Sequence, residues 1–250
     1  MSTRDWEAAT YDRVSDVQAS WARAVLDRLP LNGDETVLDA GCGSGRVTAM
    51  LLERLPHGHV VAVDAAPSMV EHARERLGDR ATVFQSDLVE LRIDEPVDAV
   101  FSNAVFHWVP DHEKLFARLY DAMKPGARLI AQYGGEGNVE NFHEVASIVA
   151  AEEPFAEHIA GRRGPWNFTS AEYAREKLEA AGFVDVKTWL EPAPMRPAEP
   201  REFIRVVCLG HHLAGLPDDL KAQYVDAVAD RLGNPIELDY VRLNVDARHP

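Results

Sequence analysis

Two hydrophobic periods alternate along the first half of the chain. Thr36-Val-Leu-Asp-Ala40, Val60-Val-Ala-Val-Asp64, Ala81-Thr-Val-Phe84, Val97-Asp-Ala-Val-Phe101 and Ala127-Arg-Leu-Ile-Ala131 are short, β-branched runs and predict strands. Between them, Val47, Leu51 and Leu55, then Met69, Val70, Ala73 and Leu77, then Leu115, Phe116, Leu119 and Met123 recur at helical spacing, each set forming one apolar helix face. The punctuation agrees: Pro67 stands where a first turn tolerates it, Gly78 follows a last periodic residue, and Lys124-Pro-Gly126 predicts a helix stop. Strand and helix in strict alternation predict right-handed crossovers and an α/β, doubly wound, mostly parallel sheet with helices on both faces.

Three pieces flank that core. Val14, Val17, Trp21, Val25 and Leu29 share a face and predict an N-terminal helix over about 14–29, closed by Pro30. Thr169-Ser-Ala-Glu172 has capping-box spacing and predicts a helix through Ala174, Leu178 and Ala181 that ends at Gly182, followed by a strand from Phe183 to Trp189. Glu191 to Pro200 carries four prolines and predicts an extended connector. Beyond it, Phe203, Val206, Val207 and Gly210 suggest one helix, Leu220, Tyr224, Val228 and Leu232 another, and the alternation from Glu237 to Val245 a final strand.

At 250 residues the chain suits one large domain, 1–250, that buries about 70% of its unfolded surface. Asp and Glu number 41 against 26 Lys and Arg, a formal charge of -15, which argues against nucleic acid and membrane partners. Cys42 and Cys208 are too few and too far apart for a disulfide framework, and the polar N-terminus lacks the apolar stretch of a signal peptide. A cytoplasmic location is expected. His211 and His212 are adjacent, about 100° apart on a helix, so no metal site is expected.

The sharpest chemical signal is Val37-Leu-Asp-Ala-Gly-Cys-Gly-Ser-Gly45, a strand entering three alternate glycines and then a helix. Such a turn lets backbone approach a ligand, and the helix N-terminus behind it offers unpaired N–H groups. Nineteen residues after Gly45, Asp64 ends the second strand, where a carboxylate can accept both hydroxyls of a ribose. The plainer alternative is a tight turn with Asp64 capping the helix after Pro67. Arg46 occupies the third glycine position of a dinucleotide fingerprint, which makes NAD the second choice, and no Gly-Lys-Ser/Thr follows to make a P-loop.

These residues resemble motif I of the class I S-adenosylmethionine-dependent methyltransferases. The resemblance implies that Asp39, Gly41, Cys42, Gly43 and Gly45 surround the cofactor, with Asp64, Ala65 and Met69 on its ribose side. Ser86, Asp87 and Leu88 are similar to the family's adenine site, and Asn103 and Ala104 fall in the segment after the fourth strand, under the methionine part. Tyr11 and Gln18 resemble cofactor-proximal positions. The cofactor implied is S-adenosyl-L-methionine, with S-adenosyl-L-homocysteine as product, on a Rossmann-like sheet of seven strands whose last is antiparallel.

The run from Ser102 to His112, with Leu115-Phe116, is similar to the trans-aconitate 2-methyltransferase family, which esterifies a small carboxylate. That resemblance places helical cap segments at about 136–168 and 192–235, the regions where it is weakest. It implies a small-molecule acceptor, in a monomer or homodimer; Trp108, Trp166 and Phe168 are candidate wall aromatics for it, and Arg162 and Arg163, in a glycine-flanked turn, either hold an anion or form a solvated turn. Phe142, Phe155 and Phe203 are further candidates for the wall, and Arg162-Arg163 or Arg201 with Arg205 for a cation facing a carboxylate. His107 has the reference pKa of a general base for a hydroxyl acceptor, or stands as a hydrogen-bonded wall. Two other functions stay open: a hydroxyl or amine methyltransferase on a natural product, and a nucleoside-binding protein without turnover.

Overall fold

The computed structural model describes residues 16–162 and 164–250, with side chains from Trp21 onward. Seven strands form one sheet: β1 (Thr36–Ala40), β2 (His59–Asp64), β3 (Ala81–Gln85), β4 (Val97–Asn103), β5 (Met123–Gly134), β6 (Val184–Pro192) and β7 (Val241–Arg248). Their spatial order is β3-β2-β1-β4-β5-β7-β6. β3, β2, β1, β4 and β5 pair in parallel, and β7 runs antiparallel to both β5 and β6. The sheet is the doubly wound, Rossmann-like one expected.

The helices are α1 (Asp16–Leu26), α2 (Arg46–Glu53), α3 (Pro67–Leu77), α4 (His112–Asp121), α5 (Glu140–Ala150), α6 (Ala156–Ile159), α7 (Ala171–Ala180), α8 (Pro200–Phe203), α9 (Gly210–Leu213) and α10 (Asp218–Leu232). Both sheet faces are covered, which is why the central strands read as continuous apolar runs. Leu38 and Ala40 of β1 pack with Leu115, Phe116 and Leu119 of α4 and Leu178 of α7. Val37 turns the other way, to Val25 and Leu26 of α1, Leu51 and Leu52 of α2 and Leu77 of α3. Each such aliphatic side chain stabilises the fold by about 1.5–3 kcal/mol on burial. A third core lies off the sheet, where Phe142 and Val149 of α5 meet Phe203 of α8 and Tyr224 and Val228 of α10.

Several expectations are corrected. Lys124-Pro-Gly126 belongs to β5, because α4 already ends at Asp121 and the β4–β5 register shifts between Val97 and Ala99, the kind of irregularity that tolerates proline. The proline connector is partly sheet: β6 is an edge strand and accepts Pro192, then the Ala193 N–H donates to Tyr240 O at 2.7 Å and Met195 bridges Leu238. That pairing occupies residues 238–240, so the last strand begins only at Val241 and runs to Arg248. The helix expected from Phe203 to Gly210 is interrupted by a π turn over Ile204–Cys208, where the Leu209 N–H reaches back to Ile204 O at 2.7 Å. The cap of α7 is Ser170, one residue later than the capping box placed it; its hydroxyl accepts from the Tyr173 N–H at 3.1 Å.

Candidate active site

The turn after β1 brings Gly41, Gly43 and Gly45 together at φ 89°, 78° and 54° for Gly41, Gly45 and Gly43, conformations that other residues adopt only under strain. The Gly41 and Cys42 N–H groups both donate to Val63 O, at 2.8 and 2.9 Å, fixing the turn against β2. A Cβ at Gly45 would stand 3.2 Å from Ala73 Cα, so this glycine lets α3 close on the turn, whereas a Cβ at Gly43 would meet nothing within 4 Å among the described residues. Gly43 thus borders open space at the N-terminus of α2.

Asp64 closes the far side. Its Oδ2 accepts from the Gly43 N–H and its Oδ1 from the Ala66 N–H, both at 2.9 Å, and each oxygen keeps a second lone pair. Burial raises its pKa, opposed by the backbone N–H groups of Ala66, Gly43 and Ala65. Asp39 is buried behind it, accepts from Thr48 Oγ1 at 2.7 Å, and is pushed up to about 7, first by burial and then by the Asp64 charge, against the Thr48 hydrogen bond. The buried Cys42 thiol is likewise pushed up, chiefly by burial. Ala65 accepts from Gln85 Nε2 through its carbonyl, and Met69 is buried on α3.

At the neighbouring strand ends, the Ser86 N–H donates to Asp64 O at 3.0 Å, and Asp87 is exposed, with Oδ1 accepting from the Val89 N–H at 3.2 Å; Leu88 is buried. Asn103 ends β4 with its Oδ1 buried and without a hydrogen bond. Ala104 follows at φ 62°, with its N–H on Gln132 O at 2.7 Å, a strained non-glycine turn of the kind that collects at functional sites. Val105 then lies against Gly41, its Cγ2 only 2.3 Å from where a Cβ there would be.

His107 is buried just beyond. The Gly134 N–H donates to its Nδ1 at 3.2 Å, which assigns the ring proton to Nε2. Burial, with the Arg242 and His112 charges, holds its pKa well below the usual imidazole range, so the ring is neutral. Phe168 lies 5.7 Å and Trp108 5.1 Å from it, centroid to centroid, and the Asn167 N–H donates to His107 O at 2.8 Å. Trp166 stacks on Phe168 at 8° and 6.2 Å and stands 6.0 Å from Trp108.

The structure therefore gathers Trp108, Trp166 and Phe168 beside His107, and separates other expected wall residues from it. Phe142, Phe155 and Phe203 belong to the off-sheet core, because their helices turn these faces toward one another. Arg201 is an exposed partner of Asp226 and Asp230, at 2.6 and 2.5 Å, and Arg205 pairs with Glu202 at 2.9 Å. Arg162 is exposed, with Nε donating to His211 Nε2 at 3.3 Å. Tyr11, Arg163 and the side chain of Gln18 lie outside the described residues.

Sequence reasoning missed His143 and Arg242, and weighed His212 only as a metal ligand. His143 of α5 lies 4.4 Å from Trp166, and His212 of α9 lies 6.5 Å from it. Arg242 is 3% exposed in β7, in register with Gly134. Single histidines on apolar helix faces and an arginine in an alternating strand carry no local signal that sets them apart.

Residues 37–126 match a family model described as a methyltransferase domain. Trans-aconitate 2-methyltransferase of Variovorax paradoxus is 34% identical over 244 residues, covering 96% of this chain and 94% of that protein. The enzyme of the same name from Methylobacterium radiotolerans is 32% identical, over 89% of this chain and 87% of its own. Among solved structures, phosphoethanolamine N-methyltransferase 2 of Haemonchus contortus, in complex with S-adenosyl-L-methionine, shares the fold at a TM-score of 0.65 and 23% identity, covering 97% of this chain and 56% of that one. The cyclase SpnF shares it at 0.61 and 20%, over 92% and 81%. Identity of 34% and 32% across nearly the whole length decides the family: the chain belongs to the trans-aconitate 2-methyltransferase family of S-adenosylmethionine-dependent methyltransferases.

Proposed function

We propose that the protein methylates a carboxylate of a small acid of the trans-aconitate type. The observation that carries this reading is the 34% identity to an enzyme of that name over 96% of the chain. The local geometry supports the cofactor half of the reading. The open space at Gly43, the outward lone pairs of Asp64 and the orphaned Asn103 Oδ1 are features that a nucleoside with an amino-acid tail would use.

In this reading Asp64 accepts the ribose hydroxyls, Gly41, Cys42 and Gly43 present backbone to the methionyl part, Ser86, Asp87 and Leu88 border the adenine, and Asn103 and Ala104 line the sulfonium side. Ala65 and Met69 support Asp64 from α3, while Asp39 holds the turn to α2 through Thr48. The cofactor supplies a methyl group already activated by a positive sulfur. The chain's task is then to aim a carboxylate oxygen in line with that methyl and to exclude water, an effect worth up to about 7–11 kcal/mol. Trp108, Trp166 and Phe168 form the apolar screen that does so.

A carboxylate is ionised at neutral pH and needs no base. His107 fits that economy: with Nδ1 occupied by the Gly134 N–H and its basicity lowered by burial, it offers an Nε2–H donor rather than a proton acceptor. Incubation with S-adenosylmethionine and a panel of di- and tricarboxylic acids, alcohols and amines, read by mass spectrometry, tests the reading. Trans-aconitate is expected to gain one methyl as an ester. A methyl on an alcohol or amine and none on any acid would replace the carboxyl reading, and tight nucleoside binding without an acceptor would point to a binding protein.

A further inference from the structure

Beside the aromatic screen lies a cluster of imidazoles that the methyl-transfer reading leaves unused. His143 and His212 both lie against Trp166, at 4.4 and 6.5 Å between ring centroids, and each has a ring nitrogen, Nε2 of His143 and Nδ1 of His212, that is buried without a hydrogen bond. His212 is 3% exposed. His211 lies 6.1 Å from His212, and the Arg162 guanidinium is folded over Gly215, where a Cβ would stand 1.9 Å from its Nη1. Among the described residues no group of three histidines, cysteines or acids converges as metal ligands do.

A guanidinium and three imidazoles in one place stand out in a chain that carries 41 acids against 26 bases. Buried nitrogens are nearly always paired, so two orphans around one indole call for a ligand with oxygen acceptors or donors. We propose that His143 and His212, with Arg162 at the rim and Trp166 as the shared wall, form the subsite for a second carboxylate of the acceptor, the one that is not methylated. The inference rests on the carboxylate-acceptor reading above.

The chemistry of the subsite sets a proton requirement. Burial pushes both His143 and His212 down to about 4, so both rings are neutral at pH 7. His212 is further disfavoured as a cation by His211, His143 and Arg162. His143 has an opposing neighbour in Asp239, ahead of β7, whose Oδ2 accepts from the Asn141 N–H at 3.1 Å. The other rings packed on the pair are Phe142 and Phe168 on His143 and Tyr224 on His212, and the Tyr224 hydroxyl is committed to Ala146 O at 2.8 Å. An arriving carboxylate favours the charged imidazole, so binding draws a proton from solvent and weakens as pH rises.

Calorimetric titration of the S-adenosylhomocysteine complex with trans-aconitate, in two pH 7 buffers of different ionisation enthalpy, measures that proton. Net uptake is expected in the wild type and none in His143→Gln/His212→Gln. Arg162→Gln, an exposed change that the fold tolerates, is expected to raise the acceptor KM tenfold or more with cofactor affinity unchanged. Should the double variant fold poorly, imidazole NMR of the wild type gives the same answer, as the His143 and His212 ring signals must move to the protonated position on adding trans-aconitate. Methylation of the acid without proton uptake, without ring shifts and with an unchanged KM in Arg162→Gln overturns the subsite and leaves the carboxylate reading standing. If no acid is methylated and none moves the ring signals, both fall.

Discussion

At Gly41 two physical demands coincide. The residue sits at φ 89°, and the space a side chain would need is filled by the Val105 methyls at 2.3 and 2.5 Å. Gly41→Ala is therefore expected to weaken S-adenosylmethionine binding at least tenfold by calorimetry, with Val105→Ala in the same chain restoring part of the loss, because it relieves the clash and leaves the dihedral strain. Asp64→Ala removes a half-buried carboxylate that orders the Gly43 and Ala66 N–H groups, and is expected to cost about 1.5–3 kcal/mol of cofactor affinity, on the order of a 10- to 150-fold rise in Kd. The geometry of these residues was legible in the sequence because it is local: a glycine turn, a strand end and the interval between them. His143 and His212 were not, since 69 residues separate two rings that only the folded cap makes neighbours.

At the scale of elements, α7 shows where local reading succeeds and where it slips. The capping signal found the helix, but Thr169 and Ser170 both offer a hydroxyl, and the chain chose the second. Ser170→Ala should lower stability by about 1 kcal/mol in thermal or urea melts, the usual cost of a lost cap. Thr169→Val, by contrast, should leave the α7 cap intact, since the Thr169 hydroxyl takes no part in it and lies instead by the Tyr133 hydroxyl. An increase in stability for Ser170→Ala would remove the assignment. The strand boundaries escaped the sequence for another reason: pairing partners decide where β6 and β7 begin and end, and Met195 and Leu238 are 43 positions apart. The break at Ile204–Cys208 follows equally from packing, as Ile204 and Cys208 are buried in the off-sheet core.

Across the whole molecule, the buried rings make the fold acid-sensitive. His143 and His212 titrate near 4 when folded against about 6.5 when unfolded, and His107 is also lowered. As pH falls from about 6.5 to 4, the unfolded chain binds protons that the folded one refuses, so folding stability drops, on the order of 2–3 kcal/mol for each ring. Asp39 acts oppositely: its folded pKa of about 7 lies above the ordinary 3.8, so its contribution to stability grows as pH falls across the whole of that window and offsets about one ring. The urea midpoint is expected to fall between pH 7 and 4.5, and His212→Gln to flatten that decline. A midpoint independent of pH in the wild type would show that the rings are not held neutral.

The off-sheet core is assembled from two separate excursions of the chain, one between β5 and α7 and one between β6 and β7, and both depart from and return to the same edge of the sheet. They are interlocked: Phe142 and Val149 come from the first, Phe203 and Val228 from the second, and the Tyr224 hydroxyl of the second is tied to Ala146 of the first. Recombination between relatives that differ in acceptor must therefore exchange both segments together, because either one alone would confront a foreign half-core. The glycine turn, Asp64 and the strands that carry them stand outside that exchange, so on the proposed reading a paired graft at one sheet edge would change the acceptor while the cofactor half is inherited unchanged.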